Sequence, residues 1–511
     1  MILRLLLSAV SGVLFAFAFP DVAQGWLAFV ALAPLFVAIV RARSGREAFL
    51  LGWVSQFAAW LLMVPWVVRV MSHYGGLSLP VGIALYVAMA AILGLYGGLF
   101  AAVVKRFPSG ERFLPWLLIP LTWAAVEYAR TYLLTGFPWN LLATAMIDST
   151  SLVQIDRFAG PYLLGAMVLL PATVATWWIT QKTPSIAKVI VTGSLGIVML
   201  VWWGTGLVGS RLIARPNAQD PVTAALLQPN ITQQMRWDEE NVVAIYRQMM
   251  AMTREAVAKD VDIVIWPEST VPISYTETDY FREEIESLSR EHDIDIILGS
   301  VATDPNRPGS IWNSAFLASQ GQTIGHYDKI RLVPFGEYVP LRQVLFFAEK
   351  LVHAVGEFQA GTNDQPLPGK LRYGPAICYE VVYPQITRTQ IRNGAEVLVT
   401  ITNDAWYDGT SAPAQHLWQA RMRAIEADRY VLRAATTGIS AFIDPTGRVL
   451  ESIPMGQSGI IYAKFQPRKQ STPYVRFGDW FAWLAVAVVV IALFRSRRAS
   501  STTRRPDDLT T

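Results

Sequence analysis

Eight apolar stretches restrict this chain's fold more than any other feature of its sequence. A helix needs about 20 largely apolar residues to cross a bilayer. Seven candidates precede residue 210: residues 2–19, 25–40, 49–70, 79–104, 114–134, 159–180 and 189–208. Residues 480–494 form an eighth near the C-terminus. The second and eighth are short, and Gly and Pro interrupt several, as membrane helices tolerate. Composition agrees: 52% of the chain is hydrophobic and only 16% charged, against about 25% charged in a soluble protein.

Basic residues then set the orientation. Arg41, Arg43 and Arg46 follow the second stretch, and Lys105, Arg106 and Arg112 follow the fourth. Lys182 and Lys188 separate the sixth and seventh, and Arg495, Arg497 and Arg498 follow the eighth. The alternate loops are nearly bare of Lys and Arg, with Arg69 and Arg157 as exceptions. Every cluster lands on one face, which the positive-inside rule makes cytoplasmic. Both termini are therefore expected on the cytoplasmic side, with the stretch between spans seven and eight outside, which in a double-membrane bacterium is the periplasm. Arg4, a short apolar run and Ala16-Phe17-Ala18 also suit a cleavable signal peptide. Pro20 directly after that site favours a retained first span.

Residues 216–470 read differently. Short β-rich runs at 222–228, 262–266, 294–301, 310–318, 374–378, 397–402, 430–434, 440–443 and 459–465 alternate with helical stretches near 238–258, 280–292, 384–393 and 414–428. That alternation indicates a layered α/β domain with its own core. The expected organisation is a seven-span membrane domain over residues 1–210 and a periplasmic catalytic domain over 216–470. A last span at 478–494 and a basic cytoplasmic tail at 495–511 complete it.

The 511 residues hold one cysteine, Cys378, which excludes an intramolecular disulfide and a cysteine-cluster metal site. His73, His292, His326, His353 and His416 are scattered without ligand spacing, so no metal is expected. The net charge of +4 does not by itself suggest nucleic acid.

Cys378 ends the run Gly374-Pro375-Ala376-Ile377-Cys378-Tyr379-Glu380, an apolar strand leading into a polar turn. A lone cysteine there equally suits an inert core position and a ligand-facing strand end. Glu268, in Trp266-Pro267-Glu268-Ser269, suits a turn or helix cap. Lys329, in Tyr327-Asp328-Lys329, suits a solvated charge. Taken together, the three can activate a thiol without histidine. The carboxylate is the general base, and the ammonium lowers the thiol pKa from about 8.5 and steadies an oxyanion.

Trp-Pro-Glu, Lys329 ahead of Leu332-Val333-Pro334-Phe335-Gly336-Glu337, and Ile377-Cys378-Tyr379-Glu380 resemble the motifs of the nitrilase superfamily. With Asn403-Asp404-Ala405-Trp406-Tyr407 and Thr135-Gly136-Phe137-Pro138-Trp139, the chain resembles that superfamily's membrane-bound branch, the apolipoprotein N-acyltransferases. The resemblance implies a multi-pass α-helical membrane domain plus an α/β nitrilase-like αββα sandwich. It implies Glu268 as proton acceptor, Lys329 as electrostatic partner and Cys378 as nucleophile. Glu337 and Glu380 would place Lys329 and the thiol, and Trp237, Trp406 and Tyr407 would lie along substrate access. It further implies a phospholipid acyl donor, a diacylglyceryl-cysteine lipoprotein acceptor, a lipid bilayer around both, and no cofactor. One departure is Thr436 before Thr437-Gly438, where the family often has Asn. A membrane-anchored amidase with water as acceptor, and a non-catalytic transporter or scaffold, are the rival readings.

Two further features stay open at the sequence level. Residues 339–358 carry apolar residues close to helical spacing. They suit a helix packed on the domain core, or an arm bearing Phe346 and Phe347 that dips into the outer leaflet and admits a lipid tail. Glu127 and Arg130, three apart in the fifth span, share a helix face. They suit a structural pair or a lipid-headgroup contact.

Overall fold

The computed structural model describes residues 1–107, 110–213, 219–304, 307, 309–338 and 358–502. The chain divides into two units. Unit 1 comprises Met1–Pro65, Ile83–Val208 and Asp479–Thr511, and unit 2 comprises Trp66–Gly82 and Gly209–Gly478.

Unit 1 is helical. Among the described residues, four helices are long and apolar enough to cross a membrane: Leu79–Val104, Leu152–Thr180, Ser185–Ile213 and Trp480–Arg498. A fifth arises if Gly45–Met63 and Trp66–Tyr74 count as one broken span. Ile2–Ala16 and Gly25–Val40 are apolar but shorter, and Leu114–Leu117 leads into Leu118–Tyr132. Eight spans were predicted. Local chemistry explains the interruptions, since proline lacks a backbone N–H and cannot continue a helix ladder. Pro65 follows the end of Gly45–Met63, and Pro161 sits behind Gly160 (φ 72°) inside the Leu152–Thr180 segment.

Small residues let these helices pack closely. A Cβ on Gly52 would lie 2.1 Å from the Gly97 carbonyl oxygen, so a larger side chain there would push two backbones apart. The Glu127–Arg130 pair is internal to this unit. Arg130 Nη1 donates to the carbonyls of Phe137 (2.7 Å) and Trp139 (2.8 Å), and Nη2 lies 3.6 Å from Glu127 Oε1. Glu127 Oε1 also accepts from the Leu142 N–H at 2.8 Å. The pair thereby ties the Thr135–Trp139 turn to its helix, as a structural pair does.

Unit 2 is built on twelve strands among the described residues. In chain order these are β1 (Val222–Gln228), β2 (Ile263–Ile265), β3 (Asp295–Thr303), β4 (Ile311–Ser319), β5 (Gln322–Asp328), β6 (Leu367–Pro368), β7 (Arg372–Ile377), β8 (Val397–Thr402), β9 (Val431–Ala435), β10 (Ser440–Ile443), β11 (Val449–Ile453) and β12 (Gly459–Phe465). They form two six-stranded sheets, ordered β12-β1-β2-β3-β4-β5 and β11-β10-β9-β8-β7-β6. Each has a parallel centre, β1-β2-β3 and β7-β8-β9, flanked by antiparallel pairs.

The layers follow from the period-2 alternation of strand side chains. In register across β1, β2 and β3, Ala225, Val264 and Ile296 pack in a core with Met249, Ala256 and Ile285 from helices Val242–Val257 and Asp279–His292. Their neighbours Leu226, Ile265 and Ile297 pack in a separate core with Ile377, Val399, Ile401 and Leu432 of the other sheet. Helices Pro384–Arg392 and Ala412–Ala427 accompany the second sheet. The result is the expected αββα sandwich, buried on both sheet faces as parallel strands require. Strands β5, β6 and β11 were not anticipated.

Candidate active site

Three loops at the carboxyl ends of parallel strands converge, where open α/β sheets bind their ligands. Glu268 follows β2, Cys378 follows β7, and Asn403 follows β8. Lys329 follows the antiparallel β5. All four are buried.

Glu268 sits in a tight turn that Gly299 on β3 makes possible. A Cβ at Gly299 would lie 2.7 Å from Glu268 Cα and 2.7 Å from the Ser269 nitrogen. Glu268 Oε1 accepts from Asn313 Nδ2 (2.7 Å) and Lys329 Nζ (3.3 Å), and Oε2 accepts from the Asn403 N–H (2.8 Å). Burial opposes its charge, but the Lys329 ammonium and these donors outweigh it and hold the carboxyl below its usual range.

Lys329 is held by its backbone and its head. Its N–H donates to the Asn313 carbonyl at 2.8 Å. Nζ donates to Glu268 and, at 2.8 Å, to Glu337 Oε1. Burial disfavours the ammonium, yet the two carboxylates push its pKa well above the ordinary lysine value. Glu337 Oε2 in turn accepts from the Val333 N–H at 2.8 Å, and Asn313 Nδ2 reaches Glu337 Oε1 at 3.1 Å.

Cys378 opens a 3₁₀ turn, Cys378–Val382, with φ at 52°. The left-handed region costs a non-glycine residue roughly 1–3 kcal/mol and persists only where surrounding contacts enforce it. Glu380 is one enforcer. Its Oε2 accepts from the Ile377 N–H (2.8 Å), and its Oε1 from Tyr327 Oη (2.9 Å) and the N–H groups of Ile330 (2.7 Å) and Arg331 (3.1 Å). One carboxylate thus ties the cysteine turn to the segment just after Lys329. Burial raises its pKa to about 7 against those donors.

Lys329 lowers the pKa of the thiol, as expected, but burial foremost and the Glu268 carboxylate outweigh the ammonium and push the thiol far up. The site thus favours the charged form of Glu268 and the protonated form of Cys378, because burial beside a carboxylate disfavours a second anion.

Around this core the expected access residues divide. Trp237 ends helix Gln233–Trp237, and its side chain lies outside the described residues. Burial foremost, together with the Asp404 and Glu268 carboxylates, pushes the Tyr407 hydroxyl well above its ordinary pKa. The rings of Tyr407 and Trp66 stand 5.1 Å apart, edge to face, and those of Trp406 and Tyr74 5.2 Å apart. Tyr74 Oη donates to the Ala405 carbonyl at 3.0 Å, and Trp66 Nε1 to Gln415 Oε1 at 3.3 Å. The segment Trp66–Gly82 therefore furnishes part of this wall, which sequence reading missed. Residues 339–357, including Phe346 and Phe347, lie outside the described residues. Beside them, the Phe358 N–H donates to the Glu337 carbonyl at 3.1 Å.

Residues 223–474 match the carbon-nitrogen hydrolase family, and residues 11–174 match the apolipoprotein N-acyltransferase N-terminal domain. The whole chain is similar to an apolipoprotein N-acyltransferase of Geobacter metallireducens, 35% identical over 97% of this chain and 96% of the relative. Relatives of the same name from Azotobacter vinelandii (32% identical, 92% and 91% covered) and Methylococcus capsulatus (32%, 97% and 97%) align comparably.

Proposed function

Because the chain belongs to the apolipoprotein N-acyltransferase family, we propose that Cys378 carries a fatty acyl group from a phospholipid to the N-terminal diacylglyceryl-cysteine of a lipoprotein. The observation that carries this reading is the buried ion pairing of Lys329 with Glu268 and Glu337 in the loops that also hold the buried Cys378.

In the first half-reaction, Glu268 takes the thiol proton as Sγ attacks the ester carbonyl, so no free thiolate accumulates in the dry pocket. Lys329 commits two of its N–H groups to Glu268 and Glu337, and the third is available to the oxyanion of the tetrahedral intermediate. The C–O bond then breaks, the glyceryl oxygen takes the proton back from Glu268, and a lysophospholipid leaves a thioester on Cys378. In the second half-reaction the lipoprotein's α-amine attacks that thioester and gives a proton to Glu268. The Cys378 sulfur leaves and recovers that proton, and the amide product departs. Glu337 holds Lys329, and Glu380 holds the cysteine turn. No metal or cofactor enters either half-reaction.

The apolar helices suit a membrane enzyme. The positive-inside rule supports a periplasmic catalytic unit, both termini cytoplasmic, in the bacterial inner membrane. The domain limits proposed from composition are 1–210, 216–470, 478–494 and 495–511, and Trp66–Gly82 groups with the unit that holds the site.

Intact mass spectrometry after incubation with phospholipid tests the first half-reaction. A hydroxylamine-sensitive acyl adduct is expected on the wild type and absent from Cys378→Ala. No adduct under turnover conditions overturns the thioester. Release of free fatty acid in place of an N-acylated peptide would favour the amidase reading.

A further inference from the structure

The left-handed turn at Cys378 is gripped on its second edge by a histidine that neither the sequence motifs nor the reaction steps above use. His416 Nε2 lies 3.0 Å from the Cys378 carbonyl oxygen. A carbonyl oxygen only accepts, so Nε2 donates. Nδ1 stands 3.0 Å from Asp404 Oδ1 and 3.2 Å from Arg433 Nη2. Asp404 is fixed in turn, with Oδ1 accepting from Thr402 Oγ1 (2.8 Å) and Oδ2 from Arg433 Nη2 (2.6 Å). His416, Asp404, Arg433 and Thr402 are each at most 1% exposed. The imidazole is therefore clamped in orientation, and so is what it holds.

We propose that His416 is a positioning residue for the nucleophile, orienting Cys378 through its carbonyl. A trans peptide is planar, so anchoring that oxygen sets the whole Cys378–Tyr379 peptide plane. Glu380 anchors the peptide one step earlier, Ala376–Ile377, through the Ile377 N–H. With the plane after Cys378 held, ψ of Cys378 is fixed, and with it the direction of Cα–Cβ and the approach of Sγ relative to that plane. His416 comes from helix Ala412–Ala427, whose residues around it are nearly all buried, so the anchor itself is rigid. The effect belongs to the chemical step, because the imidazole reaches the cysteine through its main-chain carbonyl.

The inference rests on Cys378 being the acylated residue, and the test separates the two. His416→Leu removes the donor, His416→Gln keeps an N–H near the Nε2 position, and His416→Asn falls short of it. Two rates are read on each full-length variant in detergent: acyl-adduct formation from phospholipid, and alkylation of the single cysteine by N-ethylmaleimide. For His416→Leu, acylation is expected to fall about 100-fold, the cost of roughly a 1 Å misplacement, with KM for phospholipid unchanged. His416→Gln should recover most of this, and His416→Asn should not. Equal acylation in His416→Leu and wild type overturns the positioning role, as does a change confined to KM. So does a His416→Gln protein as slow as His416→Asn at the same melting temperature. A wild type that is alkylated but never acylated overturns the acyl-transfer reading instead, and the alkylation rates of the variants still report the positioning.

Discussion

At the scale of single residues, the site is a charge arrangement in which hydrogen bonds set which group holds the proton. Asn313 shows this most directly, since its amide donates to both Glu268 and Glu337. That donor favours the ionised form of Glu268, so Asn313→Leu should raise the Glu268 pKa. The acid limb of the kcat/KM profile then moves to higher pH, by about one unit for a charge-assisted bond. A shift to lower pH, or none, would remove Asn313 from the account. Glu268, Lys329 and Cys378 were legible because each stands in a distinctive short motif. Asn313 and His416 were not. Asn313 sits mid-strand in β4, 45 residues from Glu268, and His416 lies 38 residues beyond Cys378. Only folding brings them together, and their local sequence carries no mark of it. The direction of the thiol's pKa was also beyond sequence, because burial and the Glu268 carboxylate, not the ammonium, decide it.

At the scale of elements, the strands with continuous apolar runs were readable and those on exposed margins were not. Strand β8, Val397–Thr402, is buried at every position, and its Val-Leu-Val-Thr-Ile-Thr run announces it. Strands β5 and β11 lie at or near exposed edges, and their Gln-Thr-Ile-Gly-His-Tyr-Asp and Val-Leu-Glu-Ser-Ile sequences mix polar and apolar residues. Such sequences pass equally for loops. The close approach of β3 to the Glu268 turn yields a prediction of its own. Gly299→Ala would set a Cβ against backbone atoms of that turn, and no side-chain rotation relieves such a clash. The general base shifts, and acylation should fall by about 100-fold while Cys378 remains alkylatable and the protein still purifies in detergent. Full acylation by this variant would mean that the turn tolerates displacement.

At the scale of the whole molecule, composition alone separated a lipid-soluble part from an α/β part, and the charge pattern proposes how the chain is threaded. A periplasm-dependent phosphatase fused after residue 470 should be active, and one fused after residue 511 inactive, because the last helix, Trp480–Thr502, lies between the two points. The reverse result would invert the proposed topology. Composition placed the boundary between the parts at about residue 210, because residues 66–82 read as the end of one apolar stretch and the start of the next. The signal for a break was there in Pro65, but not the partnership that follows it.

That partnership has a practical consequence for anyone wishing to make the catalytic half as a free-standing soluble protein. Trimming the gene to residues 216–470 would delete Trp66 and Tyr74, and with them the aromatic partners of Tyr407 and Trp406 and the donor to the Ala405 carbonyl. Such a fragment should express poorly, or fold with the loop 403–408 open to protease. Grafting residues 66–82 back through a flexible tether, as a split or permuted gene, should restore protection. The enzyme is in this sense interleaved along its DNA, and domain shuffling could not have moved its catalytic half as one uninterrupted cassette.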